Sequence, residues 1–314
     1  MKAVCYGAGV IGAGWATTFS LNGCETALFG RHESTLQKAR SQIAENLDYL
    51  AELNCITAKA AQEAKARCFY TTSPQEALAG ADFVQESGPE ILETKHEIVK
   101  LIDRFAPENC VVASSTSGLK ITDITANSEL AYRYVGAHPF NPPHLLPLVE
   151  LTQGEKTQPE YLDKALAFYR SVKKEPVVLK KKKTGFIANR LSHAVLREVV
   201  NLVDEGACSV EDADKALVYG LGLRWASIGQ MMVGELGTPG GTAEMVKKFG
   251  PLNEKIFSDL ENRTKLPEDW ARQAAEGVEE ERSHMPEYIG QTNEEISRFR
   301  DTVMIELLKL HHKF

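Results

Sequence analysis

The residues most suited to chemistry stand near the start of the chain, where Gly7-Ala8-Gly9-Val10-Ile11-Gly12 spells G-x-G-x-x-G. The motif follows a short apolar run, Lys2 to Tyr6, and opens a small-residue segment with helical spacing, Ile11 to Asn22. Strand, tight turn and helix in that order form a cradle for a dinucleotide pyrophosphate. Gly7 permits the turn, Gly9 lets the backbone approach the phosphates, and Gly12 allows close helix packing. The unpaired N–H groups of the first helical turn, at Val10 and Ile11, supply partial positive charge. The second apolar run ends Leu28-Phe29-Gly30-Arg31-His32, without the carboxylate that bonds the adenosine ribose in NAD enzymes. Gly30 removes the group that would repel a 2′-phosphate, and Arg31 offers a charged fork suited to one. These residues favour NADP over NAD; in the NAD alternative, Arg31 stacks on the adenine and Glu33 or Ser34 replaces the missing acid.

The elements that must position this cradle follow from periodicity. Short apolar runs at Thr26 to Phe29, Cys68 to Thr71, Asp82 to Glu86, Cys110 to Ser114, Tyr134 to Ala137 and Pro176 to Leu179 read as strands. Helical patterns separate most of them, including Glu90 to Phe105 and Pro159 to Val172, while Glu33 to Leu53 and Thr57 to Arg67 form an inserted helical pair. Strands alternating with helices predict an α/β domain with a Rossmann-type, doubly wound parallel sheet over residues 1–183. Beyond Lys183 the patterning at Gly185 to Glu205, Val210 to Val218, Gly240 to Lys248 and Glu294 to Leu310 is helical, predicting an all-α domain over residues 184–314. The lysine run Lys180 to Lys183 at the boundary reads as a solvated loop.

Composition narrows the partners. Of 314 residues, 36 are Lys or Arg and 43 are Asp or Glu, a net charge of −7 that gives no overall field to attract nucleic acid or an anionic membrane. No apolar run approaches the roughly 20 residues that cross a bilayer. The six cysteines show no C-x-x-C or metal-like spacing, and no cationic signal segment opens the chain, so a reducing, cytoplasmic location is expected. His144, His193, His311 and His312 form no metal pattern, and no metal is expected.

Four further motifs occur in order: Ser114-Ser115-Thr116-Ser117-Gly118, Gly136-Ala137-His138-Pro139-Phe140-Asn141-Pro142-Pro143, Leu148-Val149-Glu150, and Gly185-Phe186-Ile187-Ala188-Asn189-Arg190. With the N-terminal glycines they resemble the 3-hydroxyacyl-CoA dehydrogenase superfamily over nearly the whole chain. The resemblance implies that His138 is the general base and Glu150 its orienting carboxylate. It also implies that Ser117 and Asn189 hydrogen-bond the reacting oxygen, that Glu90, Lys95 and Asn141 line the nicotinamide ribose side, and that Ser117 also contacts the cofactor. The chemistry suits such a pair: an imidazole titrates near the working pH and can take a hydroxyl proton as hydride leaves. A Ser-His-Glu hydrolase reading lacks the G-x-S-x-G elbow and would leave the glycine motif idle.

The substrate reading rests on two departures from the acyl-CoA pattern. The tip of the helical pair, Asn46 to Leu53, carries acids and apolar groups where CoA phosphates would need lysines. Gly222-Leu223-Arg224-Trp225-Ala226 resembles the lambda-crystallin and L-gulonate 3-dehydrogenase branch and the related L-carnitine dehydrogenases. Arg224 would then clamp a substrate carboxylate, with Trp225 as a pocket wall. The expected activity is NAD(P)-dependent oxidation of the 3-hydroxyl of a small, L-gulonate-like hydroxy acid. L-Carnitine comes second and 3-hydroxyacyl-CoA third, with a non-catalytic dinucleotide-binding structural or sensor protein as a separate class. Residues Phe186, Ile187, Leu191, Ala194, Val195, Val199 and Leu202 are expected to form an apolar stripe for a homodimer or for the domain's own core.

Overall fold

The computed structural model describes residues 1–181 and 183–314, so Lys182 of the lysine run lies outside the described residues. The chain divides into two compact units: Met1–Ile187 together with His311–Phe314, and Ala188–Leu310.

Among the described residues, the first unit is built on eight strands: β1 (Lys2–Tyr6), β2 (Glu25–Phe29), β3 (Cys68–Thr71), β4 (Phe83–Glu86), β5 (Val111–Ser114), β6 (Tyr134–Pro139), β7 (Leu148–Gln153) and β8 (Glu175–Val178). They form one sheet in the order β3-β2-β1-β4-β5-β6-β7-β8. Every pair is parallel except β6 with β7, where His138 faces Glu150 directly. The antiparallel pair departs from the parallel sheet expected from strand–helix alternation. Leu148–Gln153 follows β6 after a short connection instead of a helix, and such a link can only return the chain antiparallel.

Helices α1 (Val10–Leu21), α2 (Glu33–Glu52), α3 (Ala58–Ala66), α4 (Pro74–Leu78), α5 (Leu92–Phe105), α6 (Ile121–Ile124) and α7 (Pro159–Ser171) cover the sheet. The strands alternate between two cores, as a sheet covered on both faces requires. Ala3 and Cys5 join Trp15, Phe19, Leu36, Ile43 and Phe168. Val4 and Tyr6 join Leu78, Ile98, Ile102 and Ile124 on the other face. Phe83 stacks on Phe168 with ring centroids 3.8 Å apart, tying α7 to the centre of the sheet. Side-chain caps start two of the shorter helices: Thr57 accepts the Ala60 N–H and Ser73 accepts the Glu76 N–H.

The second unit contains α8 (Ala188–Asp204), α9 (Val210–Lys215), a π-helical stretch (Ala216–Gly222), α10 (Leu223–Trp225), α11 (Gln230–Glu235), α12 (Gly241–Asp259), α13 (Trp270–His284) and α14 (Asn293–Leu310). A capping box between Ser209 and Asp212 starts α9. Gly277 of α13 gives α9 room, since a Cβ there would stand 2.4 Å from Val210 Cγ2. Helices α11 and α13 were not expected from the sequence, and α12 runs on through Pro251 well past Lys248. Helix α8 begins three residues later than its pattern suggests, because Gly185 (φ 78°) and Phe186 (φ 53°) both adopt left-handed backbone.

Candidate active site

The glycine cradle joins β1 to α1. Gly7 takes φ 129°, and a Cβ on it would lie 2.6 Å from the Ser87 carbonyl oxygen. A Cβ on Gly12 would lie 1.8 Å from the Gly7 carbonyl oxygen, so these two positions must be glycine for the turn to close. Gly9 differs: nothing stands within 4 Å of a Cβ there, and the space before it is open. Gly9 is also the N-cap of α1, whose first turn carries no acid and has no side-chain cap. Exposed Val10, half-buried Ile11 and an uncapped helix start thus present free N–H donors to an anion. These features fit a dinucleotide pyrophosphate. At the end of β2, Gly30 is buried with Ala8 Cβ and Leu36 Cδ2 each 3.0 Å from where its Cβ would be, and Arg31 is exposed.

The next strand end holds a network that sequence reasoning missed in part. Glu86 closes β4, is 3% exposed, and accepts hydrogen bonds from Lys95 Nζ (2.7 Å), Ser114 Oγ (2.5 Å) and the Gly88 N–H (2.6 Å). Lys95 is itself buried, so it lines no open surface; it reaches the half-exposed Glu90 at 3.9 Å. Glu90 Oε1 also accepts from Thr116 Oγ1 and from the N–H groups of Ser117, Gly118 and Leu119. Burial alone would raise the Glu90 pKa, but the Thr116, Gly118 and Leu119 hydrogen bonds and the Lys95 charge outweigh it and lower it. The loop carrying Ser117 is thereby anchored, with Ser117 exposed. An apolar strand ending in a carboxylate, with a lysine one helical turn into α5, was the available signal for Glu86.

His138 and Glu150 come together through the β6–β7 register. Directly paired residues in an antiparallel ladder point to the same face, and His138 Nδ1 lies 3.2 Å from Glu150 Oε2. The Glu150 side chain is fully buried and that of His138 is 12% exposed. A carboxylate can only accept, so Nδ1 carries the proton and Nε2 is left with its lone pair, as a base requires. Glu150 Oε1 accepts the Ile187 N–H at 2.7 Å. The Phe186 ring stacks on the His138 imidazole, centroids 4.6 Å apart and planes 13° from parallel. Phe186 is therefore packed inside the first unit, which removes it from the apolar stripe expected on the following helix. Asn141 is exposed and precedes a cis proline, Pro142.

The remaining expected site residues lie in the second unit. Asn189 stands in the first turn of α8, half-buried, its carbonyl accepting from His193 Nδ1 at 2.7 Å. Arg224 and Trp225 lie on α10, both exposed. Trp225 Nε1 donates to Gln230 Oε1 at 2.8 Å. Among the described residues no cluster of three or more His, Cys, Asp or Glu could hold a metal ion. No described helix is long and apolar enough to cross a membrane.

A glycine cradle after β1 and a histidine paired with a carboxylate on β6, three strands along in the same sheet, define a dinucleotide-dependent dehydrogenase. Residues 2–182 match the family model for the 3-hydroxyacyl-CoA dehydrogenase NAD binding domain, and residues 185–274 match the model for its C-terminal domain. The chain belongs to the 3-hydroxyacyl-CoA dehydrogenase family and is an NAD(P)-dependent oxidoreductase acting on a CH–OH group. It is 37% identical to an L-carnitine dehydrogenase of Oceanobacillus iheyensis over 98% of this chain and 97% of that one. An L-carnitine dehydrogenase of Bacillus cereus is 32% identical over 100% and 93%. Among solved structures, an NAD+-dependent 5-formyl-3-hydroxy-2-methylpyridine 4-carboxylic acid 5-dehydrogenase superposes with a TM-score of 0.79 at 26% identity, covering 99% of this chain and 97% of the other. An (S)-3-hydroxybutyryl-CoA dehydrogenase from Ralstonia eutropha gives 0.67 at 27% identity, covering 88% and 94%.

Proposed function

We propose that the protein oxidises the 3-hydroxyl of L-carnitine, a small carboxylate that bears a quaternary ammonium group, to the 3-ketone. The observation that carries this reading is the near end-to-end similarity to L-carnitine dehydrogenases. It reverses the order drawn from the sequence, in which a gulonate-like sugar acid came first. The tip of the helical pair, Asn46 to Leu53, carries acids where a CoA carrier would need lysines, and Asp48 there pairs with Lys65 at 2.6 Å. In this reading Arg224 binds the substrate carboxylate as a bidentate fork, and Trp225 supplies an aromatic face for the quaternary ammonium.

In the reaction, His138 Nε2 takes the proton of the substrate hydroxyl, and the resulting imidazolium is held by Glu150 through Nδ1–H. When bound, the nicotinamide supplies the hydride acceptor. Gly7, Gly9, Val10, Ile11 and Gly12 hold the pyrophosphate. Glu90 and Asn141 lie on the ribose side, with Lys95 acting through Glu90. Ser117 and Asn189 hydrogen-bond the reacting oxygen. Gly30 and Arg31 favour a 2′-phosphate, so NADP is proposed as the preferred cofactor. A homodimer is proposed because the second unit leaves large apolar side chains exposed, among them Leu191, Met231, Leu236 and Phe257.

The deciding experiment measures kcat/KM for L-carnitine, L-gulonate, 3-hydroxybutyrate and 3-hydroxybutyryl-CoA with NAD and NADP. The highest value on L-carnitine supports the assignment, and a higher value on gulonate or the CoA ester overturns it. Tight dinucleotide binding without turnover on any substrate would favour the non-catalytic class.

A further inference from the structure

The Gly185–Ile187 segment touches both members of the His138–Glu150 pair, and its backbone is unusual. Phe186 is a bulky residue at φ 53°, a region such side chains rarely adopt. A strained backbone of this kind persists only where its surroundings hold it, and it clusters at functional sites. Here the conformation turns the Phe186 ring, 6% exposed, flat onto the imidazole while the next residue's N–H meets Glu150.

We propose that Phe186 is a positioning residue for the base, fixing the plane of the His138 ring so that Nε2 is aimed at the substrate hydroxyl. The need is geometric. Rotation about the last side-chain torsion of histidine is broad and weakly restrained. The single Nδ1–H bond to Glu150 fixes one ring atom but leaves the ring free to swing about that hydrogen-bond line. A flat aromatic face 4.6 Å away removes the swing, since tilting the imidazole would lose the stacked contact. Ile187 completes the arrangement by holding Oε1 of Glu150, so the carboxylate cannot turn with the ring. The role rests on the reading of His138 as the base, and the test separates the two.

In Phe186→Leu the ring loses its flat neighbour but the core stays apolar. We expect kcat to fall about 10- to 100-fold, the loss that a misaimed reacting group brings. KM for the substrate and the dinucleotide Kd should change little, and Phe186→Tyr, which keeps the face, should restore most of kcat. With isotope-labelled histidine, the His138 ring-proton resonance, assigned by its loss in His138→Gln, should move downfield in Phe186→Leu as the ring-current shielding disappears. Full kcat in Phe186→Leu beside an inactive His138→Gln overturns the positioning role alone, as does a Tyr variant as impaired as the Leu variant with the resonance unmoved. Turnover surviving in His138→Gln removes the base reading and this role with it.

Discussion

His138 Nδ1 stands 3.2 Å from Glu150 Oε2 because the two residues are direct partners across the antiparallel β6–β7 pair. The carboxylate is buried, so its effect on the imidazole is little screened by water. Glu150→Gln keeps the shape and can hydrogen-bond Nδ1 but loses the charge that stabilises the imidazolium. We predict a fall in kcat of about 10³-fold with a near-normal dinucleotide Kd, read by steady-state kinetics and fluorescence titration. A kcat within a few-fold of wild type would show that Glu150 is a structural carboxylate only.

The glycine cradle makes opposite predictions for two of its members. Gly9→Ala faces open space, so it should fold with an unchanged melting temperature while losing about tenfold or more in dinucleotide affinity through contact with the pyrophosphate. Gly12→Ala would set a Cβ 1.8 Å from the Gly7 carbonyl oxygen, and it should lower the melting temperature or abolish soluble expression. Equal melting temperatures for both variants would contradict the geometry.

Arg31 is exposed at the end of β2 beside a glycine where an acid would bind ribose hydroxyls. Arg31→Ala should raise KM for NADP about tenfold, the loss of one charge-assisted contact to the 2′-phosphate, and leave KM for NAD nearly unchanged. A parallel rise in both would mean that the guanidinium stacks on the adenine instead.

Acid stability should depend on His144. Burial, and then the neighbouring Lys174 charge, push its pKa down to about 4, and among the described residues its Nδ1 has no hydrogen-bond partner. The folded protein therefore binds fewer protons at this site than the unfolded chain between pH 6.5 and about 4. Stability should fall as pH drops through that window, by at most about 3 kcal/mol from this group. His144→Leu should flatten this part of the melting-temperature profile; an unchanged slope would assign the acid sensitivity to other groups.

Much of the first unit was legible because its signals are local. Gly7, Gly9 and Gly12 follow a strand and open a helix, and all three tasks of a dinucleotide turn lie within six consecutive residues. The alternation of strands and helices up to residue 178 rests on periodicities of two and 3.6, which the chain carries on its surface. The second unit was read less well. Helix α13 (WARQAAEGVEEERSH) is largely polar, with Trp270 and Val278 as its large apolar residues, so few apolar positions mark it, and α12 continues through a proline that ordinarily marks an end.

The sequence by itself determined the ingredients: a phosphate-binding turn, a strand end without an acid, and a histidine and a glutamate in recognisable motifs. The motif resemblance implied that His138 and Glu150 work as a pair, but composition and periodicity could not show how they meet, because their pairing depends on β7 running antiparallel in one register, and a shift of one residue would turn Glu150 to the opposite face. Nor could they show that Lys95 is spent on a buried carboxylate, or that Phe186 leaves the helical stripe to stack on the base. Those contacts join residues 9 to 48 positions apart in the chain, and only the assembled sheet and the left-handed turn at Gly185 and Phe186 bring them within reach.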